Sequence, residues 1–191
     1  MKEGYLPQND RKKILLLCDD IRMHSGIATM AREFVSGTCH RYNWVQIAGS
    51  INHPDKGKIM DLSQATKEVT GVPDPLVRLY PTDGYGNAEM LYQIIGMEKP
   101  NAILHFTDPR FWLWLYSIER ELRQIVPIAY LNIWDDLPYP MYNRPYYESC
   151  DLLLSISKQT YNINKWVLGT DHCRTIHDES FDKNGTVIPK N

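Results

Sequence analysis

The segment from Asp19 to Ile27 combines residue types that can bind an anionic ligand. Asp19 ends a continuous apolar run, and Ser25 and Gly26 follow at the predicted start of a helix. Serine is a good N-cap, and a glycine in the first turn lets a ligand approach the backbone closely. The unpaired N–H groups and the dipole at that helix end favour an anion such as a diphosphate. The alternative is that Gly26 only closes a tight turn, because the full GxGxxG pattern of dinucleotide-binding loops is absent.

Two further predicted strand ends carry polar groups that can bind a substrate. Asp108 can accept hydrogen bonds from substrate hydroxyls, or it can cap a helix that begins at Pro109. Trp134 precedes Asp135 and Asp136, so that an indole ring can stack on a sugar while the carboxylates bind its hydroxyls. The alternative for this second group is a polar loop that is anchored by its tryptophan.

Other titratable side chains do not indicate a catalytic or metal site. His105 lies inside an apolar run, which is typical of a buried core histidine. His172, Cys173 and His177 lie close together but lack the spacing of a structural zinc site. We therefore expect no bound metal.

Length, charge and hydropathy narrow the class of protein. A chain of 191 residues with 43% apolar and 23% charged residues predicts an ordinary globular domain. Its 21 basic and 23 acidic residues leave a net charge of −2, which argues against a nucleic-acid partner. The longest apolar run, residues 111–116, is far below the roughly 20 residues of a membrane span. The polar N-terminus is unlike a signal peptide and the four cysteines form no CxxC pair, so we expect a reduced, cytoplasmic protein.

Strand-like and helix-like stretches alternate along the chain, and this alternation predicts a parallel sheet. The predicted strands are 13–18, 44–48, 77–80, 102–106, 127–133 and 152–156. The predicted helices are 26–35, 62–69, 87–95, 111–125, 143–149 and 158–168, and 52–60 is predicted as a loop. We expect an α/β, three-layer Rossmann-like domain over residues 13–170, with a mainly parallel sheet of about six strands flanked by helices. A flexible arm (1–12) would precede it and a tail (171–191) would follow. Ligands bind at the carboxyl ends of such strands, so the residues that follow each strand form the predicted site.

Four segments in this order carry a resemblance to a known family. KILLLCD with SGIATMAREF comes first, and VPIAYLNIWD, from Val126 to Asp135, comes second. ESCDLLLSISKQTYN and the terminal TVIPKN follow. Together they resemble the N-terminal half of glycosyltransferases with the two-domain GT-B architecture, in particular the large retaining family 4. The resemblance covers residues 13–191.

The resemblance implies transfer of a sugar from a nucleotide-sugar donor to a sugar or lipid acceptor. Gly26, with Ser25 and Ile27 beside it, matches the family's glycine loop, which faces the donor phosphates. Asp135 matches the aspartate after the fifth strand, and Ser157 matches the serine of the last strand-to-helix turn. The histidine that often ends the family's fifth strand is absent, so no catalytic residue is assigned. The resemblance implies no metal, because positive groups and helix N-termini stabilise the leaving diphosphate.

The family's second domain, which holds most of the nucleotide-sugar pocket, would begin where this sequence ends. We therefore expect a C-terminal GT-B domain or a partner chain to complete the site, and little transfer by this chain alone. One alternative is a non-catalytic module that binds a glycan or a partner. A second is a receiver-like phosphoacceptor domain, which would use Asp19 and Asp20, a later acid (Asp83 or Asp108) and Lys158.

Overall fold

The computed structural model describes residues 3–169 and the backbone of two short strands, Ser180–Phe181 and Val187–Ile188, which pair antiparallel. The described chain therefore includes most of the predicted Rossmann-like domain. His172, Cys173, His177 and most of the predicted tail, 171–191, lie outside it.

A seven-stranded sheet forms the middle layer of the described residues. Its strands are β1 (Lys12–Asp19), β2 (Tyr42–Ser50), β3 (Met60–Asp61), β4 (Val77–Asp83), β5 (Ala102–His105), β6 (Ile128–Asn132) and β7 (Leu152–Ser155). Their order is β3-β4-β2-β1-β5-β6-β7, and all neighbours are parallel except β3 and β4. Without β3, this is the 3-2-1-4-5-6 order of doubly wound nucleotide-binding folds. The predicted α/β Rossmann-like class is confirmed.

Helices cover both faces of this sheet. They are α1 (Gly26–Thr38), α2 (Ser63–Thr70), α3 (Ala88–Glu98), α4 (Leu113–Ser117), α5 (Glu119–Leu122), α6 (Arg144–Glu148) and α7 (Lys158–Leu168). Alternate residues of β1 separate the two layers, because successive strand side chains point to opposite faces. Leu16 and Cys18 pack on the side of α1, whereas Leu15 and Leu17 pack with α3, α4 and α5. Tyr130 of β6 packs against α6 and α7.

The predicted N-cap Ser25 is confirmed, and Asn87 and Ser157 cap their helices in the same way. Each side-chain oxygen accepts a hydrogen bond from the backbone N–H three residues further along. These caps fix where α1, α3 and α7 begin, and all three helices begin at the carboxyl edge of the sheet, where a preceding strand has just ended.

The prediction of a flexible arm through residue 12 is wrong. β1 already begins at Lys12, and the Arg11 side chain is buried in an ion pair with Asp74. Asp74 also accepts hydrogen bonds from the Gln8 backbone N–H and the Tyr5 hydroxyl. The polar composition of this segment suggested a loose arm, because its binding partner, Asp74, lies more than 60 residues away in the sequence.

The prediction of one helix over residues 111–125 is also wrong. A 3₁₀ turn at Pro109–Trp112 leads into α4, and α5 is a separate helix. The Ser117 hydroxyl donates to the Trp114 carbonyl at 2.8 Å. The Ile118 N–H, which would bond that carbonyl in a regular helix, bonds the Leu115 carbonyl instead. The side-chain hydrogen bond therefore accompanies the break between α4 and α5.

The predicted loop 52–60 ends one residue too late, because Met60 belongs to β3 and pairs with Leu79. A two-residue strand is too short to show a period in the sequence. No helix among the described residues is both long enough and apolar enough to cross a membrane.

Candidate functional site

A cleft of about 600 Å³ opens at the carboxyl edge of the sheet. It is lined by residues at or just after the ends of β1, β2 and β4, within 19–25, 49–51 and 84–85, and Phe111 closes one side. The cleft lies beside the boundary between β1 and β5, where the chain changes its direction of travel across the sheet. Doubly wound folds bind their ligands at this switch point. The strand-end rule therefore predicted the cleft-lining segments, with the exception of Phe111.

The Asp19 carboxylate connects two walls of the cleft. One oxygen accepts a hydrogen bond from the Ser25 hydroxyl at 2.8 Å, and the other accepts one from the Tyr85 hydroxyl at 3.0 Å. Burial, reinforced by the charge of Asp19, raises the pKa of Tyr85 to about 12. Tyr85 is therefore a neutral hydrogen-bond donor at physiological pH. Sequence reasoning identified Asp19 and Ser25 individually, whereas Tyr85 was included only as part of the segment that follows the third predicted strand.

Close backbone packing holds the Tyr85 ring in place. A Cβ atom at Gly49 would lie 2.7 Å from the Gly84 carbonyl oxygen and 2.8 Å from the Tyr85 ring. Gly84 itself has a φ of 59°, in the left-handed region that favours glycine. On its other side, Tyr85 stacks on Phe111 with ring centroids 5.7 Å apart and an interplanar angle of 17°. The pair forms an aromatic wall, of which Phe111 is 59% exposed.

The N-terminus of α1 lies at the edge of the cleft: Ser25 lines the cleft itself, whereas Gly26 lines an adjoining pocket with Thr29 and Glu33. The Ser25 hydroxyl accepts the Ala28 N–H, whereas the N–H groups of Gly26 and Ile27 have no acceptor within the helix. Apart from its chain neighbours and the backbone of its own helix, no described atom lies within 4 Å of a Cβ built on Gly26, so the glycine is open to a ligand. The Ile27 side chain is half-buried against the core. Ile27 can therefore offer only its backbone to a ligand.

A buried ion-pair cluster joins the loops on either side of the cleft. Arg22 binds the Asp20 carboxylate through two nitrogens, and His53 Nε2 lies 2.8 Å from the same carboxylate. His53 Nδ1 accepts the Asp55 N–H, so in neutral His53 the hydrogen is assigned to Nε2. Although burial alone raises the pKa of Asp20, hydrogen bonds from Arg22 and His53 lower it below its ordinary value. The cluster connects the loops that follow β1 and β2; its Asp20 and His53 side chains are buried, and its Arg22 side chain is partly exposed.

Asp108 and Trp134 belong to a second group, past the ends of β5 and β6. Asp108 accepts the Arg110 N–H at 2.9 Å and also binds its guanidinium, which confirms that Asp108 is a helix cap. The Arg110 guanidinium lies 5.7 Å from the ring centroids of both Trp134 and Tyr142. Arg110 thus links Asp108 with Trp134, two residues that the sequence analysis had identified separately.

Asp135 and Ser157 lie further along the same edge. The Asp135 carbonyl accepts a hydrogen bond from Gln159 in the first turn of α7, and Ser157 caps that helix. Both are exposed. The predicted site residues thus form two groups: Ser25, Gly26 and Ile27 at the N-terminus of α1 beside the cleft, and Asp108, Trp134, Asp135 and Ser157 beyond β5.

His105 is a core residue, as predicted. It is fully buried, its Nδ1 lies 2.9 Å from the Tyr116 hydroxyl, and its ring stacks on Tyr130. Burial lowers the pKa of His105 to about 3, so the ring is neutral.

The residues of a receiver-like site are not brought together. Lys158 follows β7 and Asp19 is the last residue of β1, and three strand spacings, roughly 14 Å, separate these strands. Asp20, the second acid of that pattern, is buried with Arg22. In residues 3–169, moreover, there is no group of three or more His, Cys, Asp or Glu side chains that could hold a metal ion.

No family model, curated protein or solved structure matches this chain. Fold alone does not determine function. The function must therefore be argued from the geometry and chemistry of the cleft.

Proposed function

We propose that this chain is the acceptor-side half of a glycosyltransferase that transfers a sugar from a nucleotide-sugar donor. The observation that carries the proposal is the composition of the switch-point cleft. There, the Ser25 cap of α1, the Asp19 carboxylate and the wall of Tyr85 and Phe111 surround one space of about 600 Å³, and Gly26 at the same helix end lines an adjoining pocket that shares His24 and Ser25 with it. A sugar and a diphosphate require these features side by side.

The helix N-terminus supports the donor half of the proposal. The Gly26 and Ile27 N–H groups lie at the positive end of the α1 dipole, and no side chain covers Gly26. A leaving diphosphate gains negative charge during sugar transfer, and fixed N–H donors stabilise such charge without reorganising. In this mechanism the chain needs no bound metal for that task.

The aromatic wall and Asp19 support the sugar half. One face of a sugar ring is apolar and can pack on Tyr85 or Phe111, while its hydroxyls can donate to Asp19. The carboxylate is already oriented by Ser25 and Tyr85, so little ordering cost remains on binding. These residues bind and orient; a second domain or partner chain would supply the remaining wall of the donor pocket.

Two glycine substitutions on α1 test the proposal. Gly26→Asp places a negative charge at the proposed diphosphate position, while an acid in the first turn favours the helix. Gly37→Asp adds the same charge near the other end of α1, at a position that is equally free of neighbouring atoms. Binding of UDP-glucose, GDP-mannose and ADP-glucose is measured by calorimetry, and the fold is checked by circular dichroism.

We expect at least one of these donors to bind with a dissociation constant of about 1 mM. Gly26→Asp should weaken it about tenfold, whereas Gly37→Asp should leave it unchanged. If no donor binds the wild-type chain, or if both variants bind as the wild type does, the proposed donor position is wrong. Binding of sugars without any nucleotide-sugar binding would instead favour a non-catalytic glycan-binding module.

A further inference from the structure

Exposed aromatic rings continue from the cleft along the carboxyl edge of the sheet. Phe111 stacks on Tyr85 at the cleft, and the neighbouring Arg110 lies between Trp134 and Tyr142. The last two rings meet edge to face, with centroids 6.0 Å apart. We refer to these five residues, Tyr85, Phe111, Arg110, Trp134 and Tyr142, as the aromatic strip.

We infer that the aromatic strip binds an extended, uncharged glycan, so that the acceptor is an oligosaccharide rather than a single sugar. The role of that glycan as an acceptor rests on the proposed function, whereas its binding to the strip does not. Phe111 and Tyr142 are 59% and 57% exposed, so that large parts of both rings remain open. Half-exposed rings in a row can each pack on the apolar face of one sugar.

The charge of the strip favours an uncharged partner. Asp108 binds the Arg110 guanidinium with both carboxylate oxygens and so neutralises it. Beside Trp134, the exposed residues Asp135 and Asp136 add negative charge. A phosphate-rich chain or an acidic lipid surface would be repelled here. A hydroxyl-rich glycan can instead donate hydrogen bonds to these carboxylates.

Hydrogen bonds orient two members of the strip, Trp134 and Arg110. The Trp134 indole N–H donates to the Asp136 carbonyl at 2.9 Å, and the Trp134 backbone N–H donates to buried Asn132 at 3.0 Å. Arg110 is fixed by its fork with Asp108. A surface that is ordered before binding loses less conformational entropy when its ligand arrives.

The length of the strip exceeds one sugar ring. Tyr85 contacts Asp19 at the end of β1, and Trp134 follows β6, two strands away in the sheet. The axes of these strands are roughly 10 Å apart. One sugar cannot pack on both ends, so affinity should increase with glycan length.

Oligosaccharides of graded length test this inference. Cello-, malto-, chito- and manno-oligosaccharides, from monosaccharide to hexasaccharide, are titrated into the full chain by calorimetry. In at least one series we expect the tetrasaccharide to bind about tenfold more tightly than the monosaccharide. Tyr142→Ala should reduce tetrasaccharide affinity about fivefold and leave the monosaccharide unchanged. The matched control is Trp166→Ala, because Trp166 is 65% exposed and stacks on Tyr139 outside the strip.

Several results would overturn the inference. These are no binding in any series, affinity that does not depend on length, or equal losses in Tyr142→Ala and Trp166→Ala. Self-association of the chain that Tyr142→Ala abolishes would identify a protein contact instead. Length-dependent glycan binding without nucleotide-sugar binding would support glycan binding by the strip and contradict the transferase proposal. Nucleotide-sugar binding with no glycan binding would support the transferase proposal and contradict glycan binding by the strip.

Discussion

At the scale of single residues, the cleft depends on contacts between strand ends that are far apart in sequence. Asp19 bonds Tyr85, 66 positions away, and Gly49 packs against Gly84. The local sequence could predict Ser25 as a cap, because a serine before a helix accepts a hydrogen bond from a backbone N–H that is only a few residues further along. It could not predict the partner of Asp19, since that contact exists only after β1, β2 and β4 have paired.

Gly49→Ala should destabilise the chain and displace Tyr85. The new methyl group would meet the Gly84 carbonyl, a backbone atom that cannot move without disturbing its strand end. We expect the free energy of unfolding in urea to fall by about 1–3 kcal/mol. Gly96→Ala, at an uncrowded helical glycine, is the control and should raise it by about 0.5–1 kcal/mol. Equal effects of the two substitutions would mean that Gly49 is not packed as described.

Ser25→Ala and Ser157→Ala separate capping from ligand binding. Each removes an N-cap that accepts a hydrogen bond, so each should cost about 1 kcal/mol of stability. Ser25 also orients Asp19 in the cleft, so only Ser25→Ala should weaken nucleotide-sugar or sugar binding. Thermal unfolding and calorimetry measure the two effects. Loss of binding in Ser157→Ala alone would place the site near α7 instead.

At the scale of elements, continuous apolar runs predicted the parallel strands well. The sequence pattern did not predict the short elements α4, α5 and β3. Leu15 to Cys18 are buried on both faces of the sheet, and that burial is visible as unbroken apolarity. The segment from Leu113 to Leu122 has a helical period, yet Ser117 bonds Trp114 and the segment divides into two helices. Such local competition depends on side-chain geometry, which a hydrophobic period does not contain.

Ser117→Ala should let α4 and α5 join. The Trp114 carbonyl would then be free to accept the Ile118 N–H, and alanine has the higher helix propensity. Because Ser117 is exposed, no packing is lost. We expect a gain of about 0.5 kcal/mol in the free energy of unfolding and slower amide exchange at Ile118. Faster exchange at Ile118 would show that the serine stabilises the break.

A buried carboxylate at the end of α3 makes the stability of the domain depend on pH. Although burial alone raises the pKa of Glu98, hydrogen bonds from Lys13, Tyr80 and Arg78 lower it to about 2. The folded pKa is thus below the ordinary value of 4.5. The contribution of Glu98 is therefore complete above about pH 5 and is lost as the pH falls toward about 2.

Glu98→Gln should reduce stability by about 2 kcal/mol at neutral pH, after allowance for the partly exposed Lys13 and Arg78. The difference between the two proteins should shrink between about pH 5 and about pH 2, where the wild-type carboxylate is protonated. Urea unfolding at several pH values measures this difference. A constant difference across that range would show that Glu98 acts through packing rather than charge.

At the scale of the whole molecule, strand order determines where a ligand can bind. From β1 the chain adds β2 and then β4 on one side of the sheet. Helix α3 then packs on the face opposite α1, and the strand that follows it, β5, pairs with the other side of β1. This return creates the switch point and brings Phe111 to the cleft. The sequence could predict the fold class from alternating strands and helices, but the position of β5 follows from packing of both helical layers.

Amide chemical-shift mapping with an isotope-labelled chain tests the central claim most directly. UDP-glucose, GDP-mannose and ADP-glucose are each titrated to about 10 mM, well above the expected dissociation constant. With at least one donor, we expect the largest shifts at Gly26 and Ile27, at the N-terminus of α1, and at Gly49 in the switch-point cleft. Shifts centred instead on the separate groove beside Lys56 and Met97, or no shifts with any donor, would contradict the account.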